Sequence, residues 1–118
     1  MQVIRKDISF PVDIDDTLIK RIFPDDPRWN DAMVLDYYGE ERRAVPLKGN
    51  ISILKASVAR GRNVVVWSGN GFAWAEQVLN KLALDSLDVY VMSKPAGYLD
   101  NEECTLWMGA KVFDPSAE

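Results

Sequence analysis

Val64-Val65-Val66-Trp67-Ser68-Gly69-Asn70-Gly71 holds the most strand-like run of the 118-residue chain. Its four apolar residues show no alternation, which predicts a strand buried on both faces, as in a parallel sheet. The polar Ser-Gly-Asn-Gly segment stops it. A helix is predicted next, over about 72–84, with Trp74, Val78 and Leu82 or Leu79 facing inward. On the N-terminal side, residues 50–60 repeat Ile51, Leu54 and Val58 along one helical face, and Gly61 is ready to end that helix in a left-handed conformation. Ile8-Ser9-Phe10-Pro11-Val12 is a second short apolar run that halts at Asp13, with Pro11 arguing against a central place in a sheet. Beyond the second helix come a strand over 88–92, a turn over 94–97 and a short strand Tyr98-Leu99 ending at Asp100. A short helix through Leu106 and the run Lys111-Val112-Phe113 follow. Strands alternating with helices predict a three-layer α/β sandwich with a mostly parallel sheet.

Residues 18–45 interrupt that alternation. Pro24 and Pro27 among charged residues predict a loop over 19–30. Val34-Leu35-Asp36-Tyr37-Tyr38, the turn pair Gly39-Glu40, and Arg42-Arg43-Ala44-Val45 then predict a β-hairpin with a polar, exposed tip. The expectation is one domain over 1–118, with 18–45 inserted after the first strand as a flap.

Composition narrows the chemistry. Hydrophobic residues are 47% and charged residues 27%, an ordinary globular balance that excludes a low-complexity chain. There is no histidine and one cysteine, Cys104. Ser-His-Asp and Cys-His nucleophiles, His-ligated metals and an internal disulfide are therefore excluded, leaving carboxylates, lysine, hydroxyls and a hard metal. A net charge of −4 with no strong basic patch argues against duplex DNA as a partner, because counterion release needs clustered Lys and Arg. No run approaches the roughly 18 apolar residues of a membrane span, and the start lacks a signal-like apolar region. These features lead us to expect a soluble, cytoplasmic protein that does not engage membranes; they do not encode an oligomeric state.

Polar residues fall at one recurring place. Asp13 and Asp15, Ser68, Lys94 and Asp100 each stand at or just after the carboxyl end of a predicted strand, the rim where open α/β sheets bind ligands. Crowded carboxylates from Asp13 and Asp100 repel unless a cation lies between them, which points to a hard ion such as Mg2+. Lys94 adds positive charge. Ser68 and the backbone N–H groups of Gly69 and Asn70, at a helix start, favour an anion. Together these describe a phosphate seat, although singly each reads as a helix cap, a turn or a solvated charge. An EF-hand loop starting at Asp13 fails at Leu18 and Pro24, and a dinucleotide fingerprint fails at Trp74. Trp67, Trp74 and Trp107 read as core.

Asp13-Ile14-Asp15-Asp16-Thr17-Leu18 resembles motif I of the haloacid dehalogenase (HAD) superfamily, Asp-x-Asp-x-Thr after an apolar strand. Val64-Val65-Val66-Trp67-Ser68 is similar to its motif II, Lys94 to motif III, and Tyr98-Leu99-Asp100-Asn101 to motif IV. The resemblance spans about residues 10–113 and implies a HAD-like, Rossmann-like sheet and a phosphohydrolase working through an aspartyl-phosphate. It implies Asp13 as nucleophile and Asp15 as general acid and base. Ser68 and Lys94 would hold the phosphoryl group beside Gly69 and Asn70. The Asp13 carboxylate, the Asp15 backbone carbonyl and the Asp100 carboxylate would hold Mg2+. Asn101 departs from the second acid of motif IV, and the large cap domains are missing, as in small capless proteins often found in phage genomes. Such an open site implies a small phosphorylated substrate, a nucleotide or sugar phosphate, or a larger phosphorylated molecule.

Two other readings compete. A response-regulator receiver domain also uses an acidic pair, a Ser/Thr and a Lys-Pro, here Asp15-Asp16, Ser68 and Lys94-Pro95, with Asp36 the nearest phosphoacceptor. A HAD-fold binding module without catalysis draws only on Asn101. The hairpin residues Tyr37, Tyr38, Arg42 and Arg43 either stack on and grip the remote part of a substrate or trail in solvent.

Overall fold

The computed structural model describes residues 9–106, 108–109 and 111–115. The expected core residue Trp107 and the strand residue Ile8 lie outside the described residues. Strands β1 (Ser9–Asp13), β5 (Asn63–Ser68) and β6 (Tyr90–Ser93) form a parallel sheet in the order β1-β5-β6. Strands β2 (Ile19–Ile22), β3 (Met33–Tyr37) and β4 (Glu40–Pro46) form an antiparallel sheet in the order β2-β4-β3. Helix α1 (Lys48–Ala59) joins the flap to β5, and α2 (Phe72–Lys81) joins β5 to β6. The protein is thus an α/β chain with a parallel sheet and a flap, as expected.

Three layers are not formed among the described residues. Along β5, Val64, Val66 and Ser68 are buried, while Val65 and Trp67 on the other face are only partly covered. Val64 and Val66 share one core with Leu54 of α1 and with Trp74, Ala75 and Val78 of α2. Right-handed crossovers that step the same way across a sheet put their helices on one side, and the order β1-β5-β6 steps one way twice. The expectation that β5 is covered on both faces, with Trp67 in the core, fails for that reason. Pro11 is explained: among the described residues β1 pairs only with β5, so the missing N–H lies in an edge strand.

The flap is more ordered than predicted. Residues 19–22 are a strand, not a loop, because Ile19 and Ile22 bury their side chains and pair with Pro46 and Arg43 ahead of the two prolines. Tyr37 pairs with Glu40, so the turn pair is Tyr38-Gly39, one residue earlier than expected. Both have positive φ, +50° and +91°, as the tight turn that matches strand twist requires.

Helix α1 ends as predicted. Gly61 has φ +76°, and the bonds Gly61 N–H to Val58 and Arg62 N–H to Ser57 recover two terminal carbonyls. Helix α2 stops at Lys81, short of the predicted 84, because Ala83 takes the left-handed position (φ +57°) while Leu84 N–H returns to Leu79. Tyr98-Leu99 is not a strand; both residues are exposed and unladdered. Lys111-Val112-Phe113 is likewise outside any sheet, and the predicted short helix is a single 3-10 turn over Cys104–Leu106. No helix among the described residues is long and apolar enough to cross a membrane.

Candidate functional site

Register brings the rim together. Asp13 lies opposite Trp67, and Ser68 opposite Ser93, so Asp13, Ser68 and Lys94 leave the same end of three adjacent parallel strands. After β1 the backbone N–H groups of Thr17, Leu18 and Ile19 all turn back to the Ile14 carbonyl. Asp16 adopts φ +61° to close this turn. Ile14 and Leu18 are fully buried, which turns Asp13 and Asp15, on either side of Ile14, toward the rim. Asn50 of α1 fastens the turn from behind: its amide donates to the Thr17 carbonyl at 2.9 Å, and its side-chain oxygen accepts from Asp114 N–H at 2.8 Å.

Asp13 is half-buried, and burial pushes its carboxyl above the ordinary 3.8 despite the pull of Lys94 and hydrogen bonds from the Ile14 backbone and Thr17. Lys94 Nζ stands 3.9 Å from Asp13 Oδ1. Both side chains retain solvent, so the pair adds little stability; its weight lies in placing an ammonium beside a partly desolvated carboxylate.

Asp15 is held by three donors. Ser68 Oγ donates to Oδ2 at 3.1 Å, Asn70 Nδ2 to Oδ2 at 3.0 Å, and Trp74 Nε1 to Oδ1 at 3.1 Å. The flap grips the same loop: the Tyr37 hydroxyl donates to Asn70 Oδ1 at 3.1 Å and the Tyr38 hydroxyl to the Asn70 carbonyl. A Cβ on Gly71 (φ +100°) would meet that Tyr38 oxygen at 3.3 Å, so the close approach suits glycine.

The expected anion-binding N–H groups are altered. Asn70 N–H is already given to Ser68 Oγ at 3.0 Å, and Phe72 N–H at the start of α2 to Ser93 Oγ at 3.0 Å. Among the described residues, Gly69 N–H makes no such bond to a side chain.

Asp100 is not carried by a strand. With no strand at 98–99, it lies in an exposed turn and accepts Glu102 N–H at 3.0 Å. Among the described residues no three acidic or cysteine side chains gather as a metal-binding group. The Asp13 carboxylate suits a hard cation in charge and position, while Asp100, the other carboxylate of the expected Mg2+ donor set with the Asp15 carbonyl, lies in an exposed segment outside any strand.

Asn70, Tyr37 and Trp74 were not legible as a group. Trp74 is core, as its helical spacing predicts, but a buried indole N–H needs an acceptor, and that is the signal pointing to a partner such as Asp15. Arg21 was hidden inside a segment read as loop. In comparisons with known proteins, no family model, no curated protein and no solved structure matched the chain.

Proposed function

We propose that the protein is a phosphohydrolase of HAD type that cleaves phosphomonoesters through an aspartyl-phosphate on Asp13. The supporting observation is the convergence of Asp13, Lys94, Ser68 and Asp15 at one end of the parallel sheet, with Lys94 3.9 Å from Asp13. An Asp13 oxygen attacks phosphorus, and the bond to the ester oxygen breaks as Asp15 delivers a proton to that oxygen. Water then attacks the same phosphorus and gives its proton to Asp15, releasing inorganic phosphate and restoring Asp13. Lys94 offsets repulsion between carboxylate and phosphate, and Ser68, one bond from Asp15, orients that acid.

A Mg2+ requirement belongs to this proposal as an expectation on Asp13, with Asp100 the ligand that remains to be tested; no step above is routed through the ion. The receiver reading is weaker: Asp36 lies in an antiparallel strand, where its carboxylate accepts Gly39 N–H at 2.9 Å across the hairpin turn. The test is turnover of para-nitrophenyl phosphate and a panel of nucleotides and sugar phosphates by the purified protein, with and without Mg2+. Turnover that disappears in Asp13→Asn supports the proposal, and no turnover on any member of the panel overturns it.

A further inference from the structure

Between flap and rim lies a cavity of about 180 Å3, lined by Asp15, Asp16, Asn70 and Trp74 from the rim side and by Arg21, Arg42 and Arg43 from the flap. We propose that it is a subsite for a second anionic group of the substrate, which narrows the substrate class to phosphomonoesters whose leaving group carries another phosphate or a carboxylate. This rests on the phosphohydrolase reading above.

The position follows from Asp15. If Asp15 protonates the departing oxygen, whatever that oxygen is attached to extends from Asp15, and the cavity opens against Asp15. Its volume is below the roughly 300–1,000 Å3 of a pocket that encloses a whole small ligand, and equals about six waters at ~30 Å3 each. It suits one charged group with its linking atoms.

The chemistry follows from the three flap arginines that line the cavity, which differ in what already engages them. Arg43 lines the cavity too, but it is engaged: Nη1 donates to the Trp29 carbonyl at 2.8 Å, the guanidinium covers the Trp29 ring, and Nε pairs with Glu41 at 3.4 Å. Arg42 alternates to the face shared with Leu35 and Ala44, and Arg21, paired with Ala44, joins that face. The Arg42 guanidinium lies 3.4 Å above the Tyr37 ring centroid. Its Nε is buried without a hydrogen-bond partner among the described residues. Arg42 and Arg21 share one acid, exposed Glu40, at 3.7 and 3.4 Å. Of the two lining carboxylates, Asp15 is already served by Ser68, Asn70 and Trp74, and Asp16 is exposed to solvent.

Tyr37 explains why the ligand group is an anion rather than a base. One face of its ring is covered by Arg42, and its surroundings include Tyr38 and Trp74 in edge-on contact at 4.9 and 5.4 Å. The ring therefore serves to present a flat guanidinium, which recognises phosphate or carboxylate through paired N–H groups.

The test compares a nucleoside 3′,5′-bisphosphate and 2-phosphoglycolate with para-nitrophenyl phosphate, which lacks a second anion. Wild-type kcat/KM is expected to favour the two substrates that carry a second anionic group, and Arg42→Gln and Arg21→Gln to reduce that preference about 10-fold or more, the loss of one charge-assisted hydrogen bond. A second readout needs no turnover: calorimetric binding of the bisphosphate and of the matching 5′-monophosphate to Asp13→Asn, with and without Arg42→Gln. Tighter bisphosphate binding that depends on Arg42, without turnover by the wild type, keeps the subsite and overturns the hydrolase reading. Turnover without preference for a second anion, or a preference unmoved by both arginine variants, overturns the subsite and leaves the hydrolase reading standing.

Discussion

The indole N–H of Trp74, a buried residue of α2, donates to Asp15 Oδ1 at 3.1 Å. A core side chain thereby fixes a carboxylate at the rim. Trp74→Phe keeps an aromatic ring in the core and removes the donor. We expect a stability loss of about 1–3 kcal/mol, typical of a hydrogen bond to a charged group. With Asp15 as the proposed acid, we also expect a fall in kcat of roughly 10-fold with little change in KM, because Trp74 positions that carboxyl. Chemical denaturation and steady-state kinetics on one aryl phosphate measure both, and an unchanged kcat would reduce Trp74 to a packing residue.

Asp13 links function to pH. Burial holds its folded-state pKa above the ordinary 3.8, so between those values the folded protein carries more of the proton than the unfolded chain. Stability from this group is therefore lost as pH rises through that window, and the penalty is absent below it. Asp13→Asn is expected to lose at least about 10^3-fold in turnover and yet to be more stable at pH 7.5, by about 0.5–1 kcal/mol, read as a higher Tm. The gain in Tm should vanish near pH 3. Melting curves at the two pH values check the sign.

How much of this was readable beforehand differs from residue to residue. β1, β5 and both helices were legible because apolar runs and 3.6-residue periodicity report burial directly, as for Val64, Val66, Leu54 and Val78. Asp13, Ser68 and Lys94 were legible because each closes such a run. β2 was not: Ile19 and Ile22 are separated by two charged residues, and only pairing with β4 makes them a strand. The three donors on Asp15 were hidden too, since Ser68, Asn70 and Trp74 converge on it from residues more than 50 positions away. Asp100 was placed by a strand that Tyr98 and Leu99 do not form.

Ala83 sits exposed at φ +57° just after α2. A non-glycine residue there costs about 1–2 kcal/mol, and glycine gives back about 0.5–1 kcal/mol through the freer unfolded chain. Ala83→Gly should therefore stabilise the protein by roughly 0.5–1 kcal/mol, seen as a Tm higher by about 2–6 °C. A lower Tm would show that the left-handed turn carries no strain.

Tyr38 ties the hairpin turn to the rim loop through its hydroxyl and the Asn70 carbonyl. Tyr38→Phe removes that bond alone, at an expected cost of about 0.5–1.5 kcal/mol. Hydrogen exchange should show faster opening of the Gly69 to Gly71 amides while α1 stays protected. Equal protection in both proteins would mean that Tyr37 suffices to hold the loop.

If Mg2+ is required, Asp100→Asn separates two cases. Asp100 lies in an exposed turn, so a ligand role predicts an activity curve shifted to about 10-fold higher Mg2+ or more, as for removal of a metal-supporting residue. A superimposable curve would assign the ion to the Asp13 end of the site alone.

The pairing of β1 with β5 spans residues 9–68, whereas β3 and β4 meet across a two-residue turn. Closing a long loop costs chain entropy before its contacts repay it, so the hairpin has the means to form in microseconds while the β1–β5 ladder waits. Asp13 and Ser68 become neighbours only through that ladder. In refolding experiments, tyrosine signals from the hairpin should therefore recover ahead of the capacity to bind or turn over ligand, which reports the last long-range closure of the chain.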